Sequence, residues 1–188
     1  LDEYNFPGFH TVYRTMREYP RKIGGNLLGY VGEVSKDDIN RNPDEYRMGD
    51  YIGKSGVERA YESDLRGKDG VKILERDAHG AIKGSYMDGA FDSLPIPGKR
   101  LTCTIDARLQ AFAEELMAGK VGAVVAIEPK TGEILVMASS PSYDPDELVG
   151  RNRGNNYMKM LGNKRKPLFN RAVSAKYPPG STFKLVQG

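Results

Sequence analysis

At 188 residues with 39% hydrophobic content, the chain is long enough for one large or two small domains with a buried core. A net charge of +3, with no Lys/Arg cluster interleaved with aromatics, argues against nucleic acid as a partner. The lone Cys103 excludes an intrachain disulfide, and His10 and His79 lie too far apart to give a metal-ligand spacing. No apolar run approaches the ~20 residues of a membrane span. Leu1–Asn5 does not look like a signal peptide, and the chain stops a turn or so after Ser181, so it is expected to be a soluble piece of something longer.

The alternation in Phe9–Tyr13 predicts a strand within the stretch Phe6–Tyr19, ended by Pro20, with His10 as a surface strand residue. After a turn at Gly24–Gly25, Leu27–Gly32 reads as a short buried strand. Ser35 with Asp38 marks a helix start, and Pro43–Tyr46 continues or restarts a polar helical stretch. The block Gly53–Gly67 has the best-formed helical pattern. Ser55 and Glu58 stand at capping-box spacing, Val57, Ala60, Tyr61 and Leu65 share a face, and Gly67 supplies a left-handed stop.

Residues 70–91 alternate charged and apolar positions between glycines, the pattern of a twisted hairpin. Pro95–Gly98 is the expected domain boundary, where two prolines and a glycine coincide with a change of pattern. Beyond it, Arg100–Ile105 reads as a β-branched strand holding Cys103 as a small core residue. Asp106 caps a helix whose core face is Leu109, Phe112, Ala113, Leu116 and Met117. Gly122–Ile127 and Glu133–Ala138 form a hairpin across Pro129–Gly132, apolar enough for the middle of a sheet. Ser139, Ser140 and Ser142 are read as turn and cap residues, Asp144–Glu147 as a helix start, and basic Arg151–Lys166 as a surface loop.

The chemistry concentrates in Tyr177–Lys184, Tyr-Pro-Pro-Gly-Ser-Thr-Phe-Lys. Two prolines prevent an earlier helix from continuing, and Gly180 permits a tight approach before a new helix opens at Ser181. The three-residue step to Lys184 puts hydroxyl and amine on one face, close enough for the amine to take the hydroxyl proton. Burial and the positive end of a helix both favour the neutral amine that a base requires. With ten serines and fourteen lysines, chance alone yields about 0.7 S-x-x-K patterns, so the Pro-Pro-Gly lead-in raises the signal. Two further triplets, Lys54-Ser55-Gly56 and Lys130-Thr131-Gly132, look like catalytic K-[ST]-G motifs but fall at a helix start and on a turn, where capping and turning are their expected work.

Taken together, Arg17–Pro20, Gly29–Gly32, Gly53–Gly67, Thr104–Asp106 with Leu109 and Gln110, Ala138–Pro145, Pro167–Ala172 and Tyr177–Lys184 resemble the class B penicillin-binding proteins, and among them the elongation type. The resemblance spans nearly the whole chain. It implies an α+β molecule with a β-rich pedestal, often labelled a dimerisation domain, over 1–98, followed by the opening of a serine-acyltransferase α/β domain over 99–188. It implies a peptidoglycan D,D-transpeptidase in which Ser181 accepts the acyl group, Lys184 is its base and the Ser181 backbone N–H is one oxyanion donor. The implied substrate is the D-alanyl-D-alanine end of a peptidoglycan stem peptide. β-Lactams would acylate the same Ser181, and no cofactor is implied. The S-x-N and K-[ST]-G motifs that complete such a site lie downstream in relatives, so the 188-residue piece is itself expected not to turn over.

The resemblance further implies a parent anchored by one span at the periplasmic face of the inner membrane. Its pedestal would act as a protein-interaction module for a membrane glycosyltransferase of the cell-elongation machinery. A serine β-lactamase or sensor shares S-x-x-K but gives no reason for a pedestal. Asn26 stands where many relatives carry a histidine.

Overall fold

A computed structural model of the chain describes residues 16–187. The strand expected over Phe9–Tyr13 and His10 lie outside the described residues. The fold is α+β, with three antiparallel two-stranded ladders among the described residues, β1 with β2, β3 with β4 and β5 with β6, separated by short helices.

Residues 27–32 do not form one strand. Gly24 adopts a left-handed conformation, and Leu28 and Gly29 donate to the Gly24 and Gly25 carbonyls at 2.7 and 2.9 Å, closing the helical turn α1 (Gly25–Leu28). Only then does the chain extend as β1 (Val31–Glu33), which pairs with β2 (Tyr51–Gly53) in the register Gly32 to Ile52. Between them lies α2 (Lys36–Arg41), started by a complete capping box: Asp38 N–H donates to Ser35 Oγ at 3.2 Å and Ser35 N–H to Asp38 Oδ2 at 2.9 Å. Pro43–Tyr46 forms a turn rather than a helix, with Tyr46 N–H reaching back to Asn42.

The Gly53–Gly67 block is two short helices, α3 (Gly56–Ala60) and α4 (Glu62–Leu65), separated by Tyr61. Ser55 makes no side-chain cap bond; its hydroxyl is hydrogen-bonded with Tyr143, and the Glu58 side chain does not reach back to it. The buried Glu58 carboxylate accepts from Arg17 Nε at 2.5 Å, Arg17 Nη2 at 2.8 Å and the Tyr19 hydroxyl at 3.1 Å. Ala60 and Tyr61 are exposed, so the expected common apolar face does not form. Residues 70–91 make the expected hairpin, β3 (Leu74–Arg76) against β4 (Ile82–Ser85), with an irregularity at Glu75/Arg76.

Arg100–Ile105 carries no strand, and Cys103 is exposed rather than in the core. The segment instead runs beside a strand edge, with Thr104 Oγ1 donating to the Ile134 carbonyl at 2.7 Å and Asp106 N–H to that of Leu135 at 3.0 Å. Asp106 caps α5 (Ala107–Leu116) through Oδ1, accepting from Arg108 and Leu109 N–H at 2.8 and 3.1 Å. The buried face of α5 is Gln110 and Ala113, while Leu109, Phe112 and Leu116 are exposed. Gln110 wins that place because its amide meets both backbone groups of Met137: Oε1 accepts from Met137 N–H at 2.9 Å and Nε2 donates to its carbonyl at 3.1 Å.

β5 (Gly122–Ile127) and β6 (Ile134–Ser140) form the expected hairpin, with Val125 opposite Met137. Ala113, Val136 and Ala138 form its small core with Ala126 packed against them, whereas Val124, Val125 and Ile127 are exposed on β5. A 3₁₀ turn at Pro145–Leu148 follows, capped by Asp144 accepting from Asp146 N–H at 3.0 Å. The basic stretch after it is not a loop. It contains α6 (Arg153–Leu161), held by buried Met160, by Asn156 Nδ2 donating to the Glu147 carbonyl at 2.8 Å, and by Tyr157 against Tyr30 at 5.9 Å.

Candidate active site

Ser139 and Ser140 are neither turn residues nor nucleophiles; they close β6 and are buried. Ser139 Oγ donates to the Phe169 carbonyl at 3.2 Å and accepts from Arg171 N–H at 3.0 Å, fixing the start of α7 (Arg171–Ser174) against the strand. Asn170 caps that helix by accepting from Ala172 N–H at 3.1 Å, and its Nδ2 donates to the Asn26 carbonyl at 3.1 Å. Buried Arg171 spreads its guanidinium over the carbonyls of Arg165, Lys166 and Phe169 at 2.6, 3.1 and 3.3 Å. These contacts anchor the segment that leads to Ser181.

Ala175–Pro179 then runs without regular structure, and Gly180, at φ +63, turns it into a 3₁₀ segment, Gly180–Phe183, continued by α8 (Lys184–Gln187). Thr182 Oγ1 donates to the Pro179 carbonyl at 2.6 Å, and Lys184 N–H donates to the Ser181 carbonyl. Side chains three residues apart eclipse in a 3₁₀ turn, so the backbone brings Ser181 and Lys184 to one side. Both are exposed, and among the described residues no hydrogen bond joins Ser181 Oγ to Lys184 Nζ. Ser181 and Lys184 thus lie one 3₁₀ turn apart on an exposed segment.

The two look-alike triplets hold other posts. Lys54 Nζ bonds Asp38 Oδ2 at 2.5 Å, and Lys130–Gly132 turns the β5–β6 hairpin, with Gly132 N–H donating to the Glu128 carbonyl at 2.8 Å. Asn26, buried on α1, donates through Nδ2 to Ser142 Oγ at 3.2 Å and to the Pro167 carbonyl at 3.0 Å. Gly25 beside it admits the close approach, since a Cβ there would lie 2.2 Å from the Tyr143 carbonyl oxygen. Burial pushes the Tyr143 phenol up to about 12, and burial with Tyr157 nearby does the same to Tyr30. Sequence spacing had no means of finding Asn26, Asn170 or Arg171, because their partners are carbonyls and hydroxyls of distant segments.

Two cavities lie near this junction, and neither is lined by Ser181 or Lys184. One, of about 360 Å³, is apolar and bordered by Tyr19, Ile23, Leu27, Cys103 and Ile105. The other, of about 380 Å³, is mixed in character and bordered by Ser142, Tyr143, Glu147, Asn156, Lys159 and Met160. Among the described residues no group of three or more His, Cys, Asp or Glu side chains is placed to hold a metal.

The described chain is a series of short hairpins and helices that ends with a serine set one 3₁₀ turn ahead of a lysine. The family described as penicillin-binding protein dimerisation domain matches residues 2–103, and that of the penicillin-binding protein transpeptidase domain matches residues 122–187. The chain belongs to the penicillin-binding proteins. It is 39% identical over 187 residues to the peptidoglycan D,D-transpeptidase MrdA of Acinetobacter baumannii, covering 98% of this chain and 27% of that protein. The MrdA of Salmonella typhimurium is 36% identical, with 98% and 30% covered. Among solved structures, the complex of PBP2 and MreC from Helicobacter pylori aligns with a TM-score of 0.75 at 32% identity, covering 90% of this chain and 31% of that one. Pseudomonas aeruginosa PBP2 in complex with WCK 5153 aligns at 0.70 and 38% identity, with 90% and 33% covered. The chain thus spans about 27 to 30% of the length of these MrdA relatives.

Proposed function

We propose that this chain carries the pedestal and the nucleophile of a peptidoglycan D,D-transpeptidase. In this reading Ser181 Oγ, its proton taken by Lys184, bonds to the carbonyl carbon of the penultimate D-alanine of a stem peptide. The terminal D-alanine leaves with the proton. The amine of a neighbouring strand then attacks the acyl-serine, forming the cross-link and returning the hydroxyl. The Ser181 backbone N–H is one donor to the oxyanion. The observation that carries this is the Ser181–Lys184 step opening a helix inside the segment matched to the transpeptidase family.

We place the division between a pedestal over 1–98 and a catalytic part from 99 near residue 98; separate family matches over 2–103 and 122–187 support two parts. Among the described residues no helix is long and apolar enough to cross a membrane. The reading places the whole protein at the periplasmic face of the inner membrane, with a membrane glycosyltransferase as the pedestal's partner. A relative solved as a complex with MreC supports protein contacts in this family. The test is covalent labelling of a form as long as the relatives by a fluorescent penicillin. Label recovered on the Ser181 peptide and abolished by Ser181→Ala is the expected result. Label on another residue, or undiminished in that variant, rejects the reading.

A further inference from the structure

Residues 161–166, from the end of α6 to Pro167, are all exposed, and Lys164, Arg165 and Lys166 among them are cations. Their turn is held from within. Arg165 N–H donates to Asn163 Oδ1 and Lys166 N–H to the Asn163 carbonyl, both at 2.9 Å, and the Arg165 and Lys166 carbonyls accept from buried Arg171. Arg165 also joins the turn to the end of α5, where its Nη2 donates to the Gly119 and Lys120 carbonyls at 2.7 and 3.2 Å. Lys120 in turn donates its ammonium to the Leu116 carbonyl. Four cations therefore gather around one turn together with two leucines, Leu116 at 53% and Leu161 at 58% exposure. Met158, three positions before Leu161 and so on the same face of α6, is 65% exposed.

The charge on this surface is not balanced. Among the described residues none of Lys120, Lys164, Arg165 and Lys166 forms an ion pair. From Leu148 to Gly188 the sequence has nine Lys and Arg and no Asp or Glu. At the end of α5, Glu114 is taken by Gly24 N–H and the Gln110 amide, which leaves Glu115 as the carboxylate beside four cations. None of the four cations, Leu116 or Leu161 lines either cavity, so this surface offers no recess to a small ligand. A hydrated polyanion would use the cations and leave the apolar side chains in water. A lipid interface uses both, with cations at the phosphates and apolar side chains among the headgroups and upper acyl carbons.

We propose that the turn after α6, with the end of α5, is a membrane-contact surface fitted to a bilayer rich in anionic phospholipid. Lys120, Lys164, Arg165 and Lys166 meet the headgroup phosphates, and Leu161 with Leu116 enters the interfacial layer. The inference rests on exposure and charge and not on the transpeptidase reading, so penicillin labelling of Ser181 stands or falls separately.

The test is co-sedimentation of the full 188-residue chain with phosphatidylcholine vesicles made with and without phosphatidylglycerol. Binding should require phosphatidylglycerol and fade as salt shortens the screening length from about 10 Å to about 3 Å. The exposed pair Lys164→Gln, Lys166→Gln should lower the partition coefficient at least tenfold, since each cation near an anionic surface contributes roughly fivefold. Leu161→Ser should lower it several-fold while leaving retention on a heparin column unchanged, which separates a lipid interface from a soluble polyanion. The chain has no tryptophan, so Leu161→Trp supplies a single reporter whose emission should shift to the blue on vesicles and be quenched by brominated lipid. Circular dichroism checks that each variant is folded. Absent vesicle binding, partitioning indifferent to the lysine substitutions or to Leu161→Ser, or a Leu161→Trp emission unmoved by bound vesicles overturns the proposal.

Discussion

Asn26 and Pro167 stand 141 positions apart and are joined by a hydrogen bond of 3.0 Å from the side-chain amide of one to the carbonyl of the other. With Asn26 Nδ2 also on Ser142 and the Asn26 carbonyl accepting from Asn170, one buried residue of α1 fastens the loop after β6 to the segment leading to Ser181. The segment leading to the serine turn is therefore tied to α1 by the side-chain amides of Asn26 and Asn170.

Replacing Asn26 by Ala leaves the buried Pro167 carbonyl without this donor. The expected cost is about 1–3 kcal/mol. A lower urea midpoint at unchanged slope is the signature, and an unchanged midpoint would mean that the contact contributes nothing.

Glu58 is a second such tie, a buried carboxylate whose partners Arg17 and Tyr19 lie about forty positions earlier. Arg17→Ala strands that charge. Because the Arg17 side chain is 42% exposed, the loss should be about 2 kcal/mol, below that of a fully buried pair. Arg17→Ala combined with Glu58→Gln should recover part of it, since the remaining group is neutral. Thermal unfolding of the single and double variants checks the order.

Asp38 makes stability fall in acid. The Lys54 ammonium, then the Ser35 backbone and hydroxyl, hold its carboxyl well below the usual carboxylate range. A depressed folded value contributes stability that is present above the unfolded value of ~3.9 and lost as pH falls below it. Asp38→Asn should be less stable than the parent at pH 7, with the gap closing towards pH 3. Urea midpoints at the two pH values measure this.

Tyr143 and Tyr30 act at the other end. Each phenol is pushed up to about 12, foremost by burial, so each contributes stability complete below the unfolded value of ~10 and lost between there and about 12. Absorbance titration at the phenolate band should show late-titrating tyrosines. Tyr143→Phe should flatten the alkaline loss of stability.

Local signals were legible where the partners were local. Ser35 with Asp38, Asp106 ahead of α5, and the Pro129–Gly132 turn all satisfy backbone groups within a few residues, and spacing alone finds them. Ser55 and Glu58 show the same spacing and fail, because an arginine and a tyrosine from far along the chain claim the carboxylate. The α5 face was misread for a related reason: apolar periodicity favours Leu109, Phe112 and Leu116, but Gln110 has a complete peptide group to satisfy. α6 escaped notice since only Met160 is buried and asparagines and a tyrosine hold it. At the candidate site Ser181 and Lys184 stood out by motif; Asn26 and the Pro167–Ala172 stretch were marked by resemblance, but the contacts that make Asn26, Asn170 and Arg171 anchors were not legible.

Gln110 has one more effect. By occupying both the N–H and the carbonyl of Met137, alongside Asp106 on the Leu135 carbonyl, it seals the outward edge of β6. A strand approaching β6 at Met137 finds both backbone groups already taken by a side chain posing as backbone, so the ladder is not extended there.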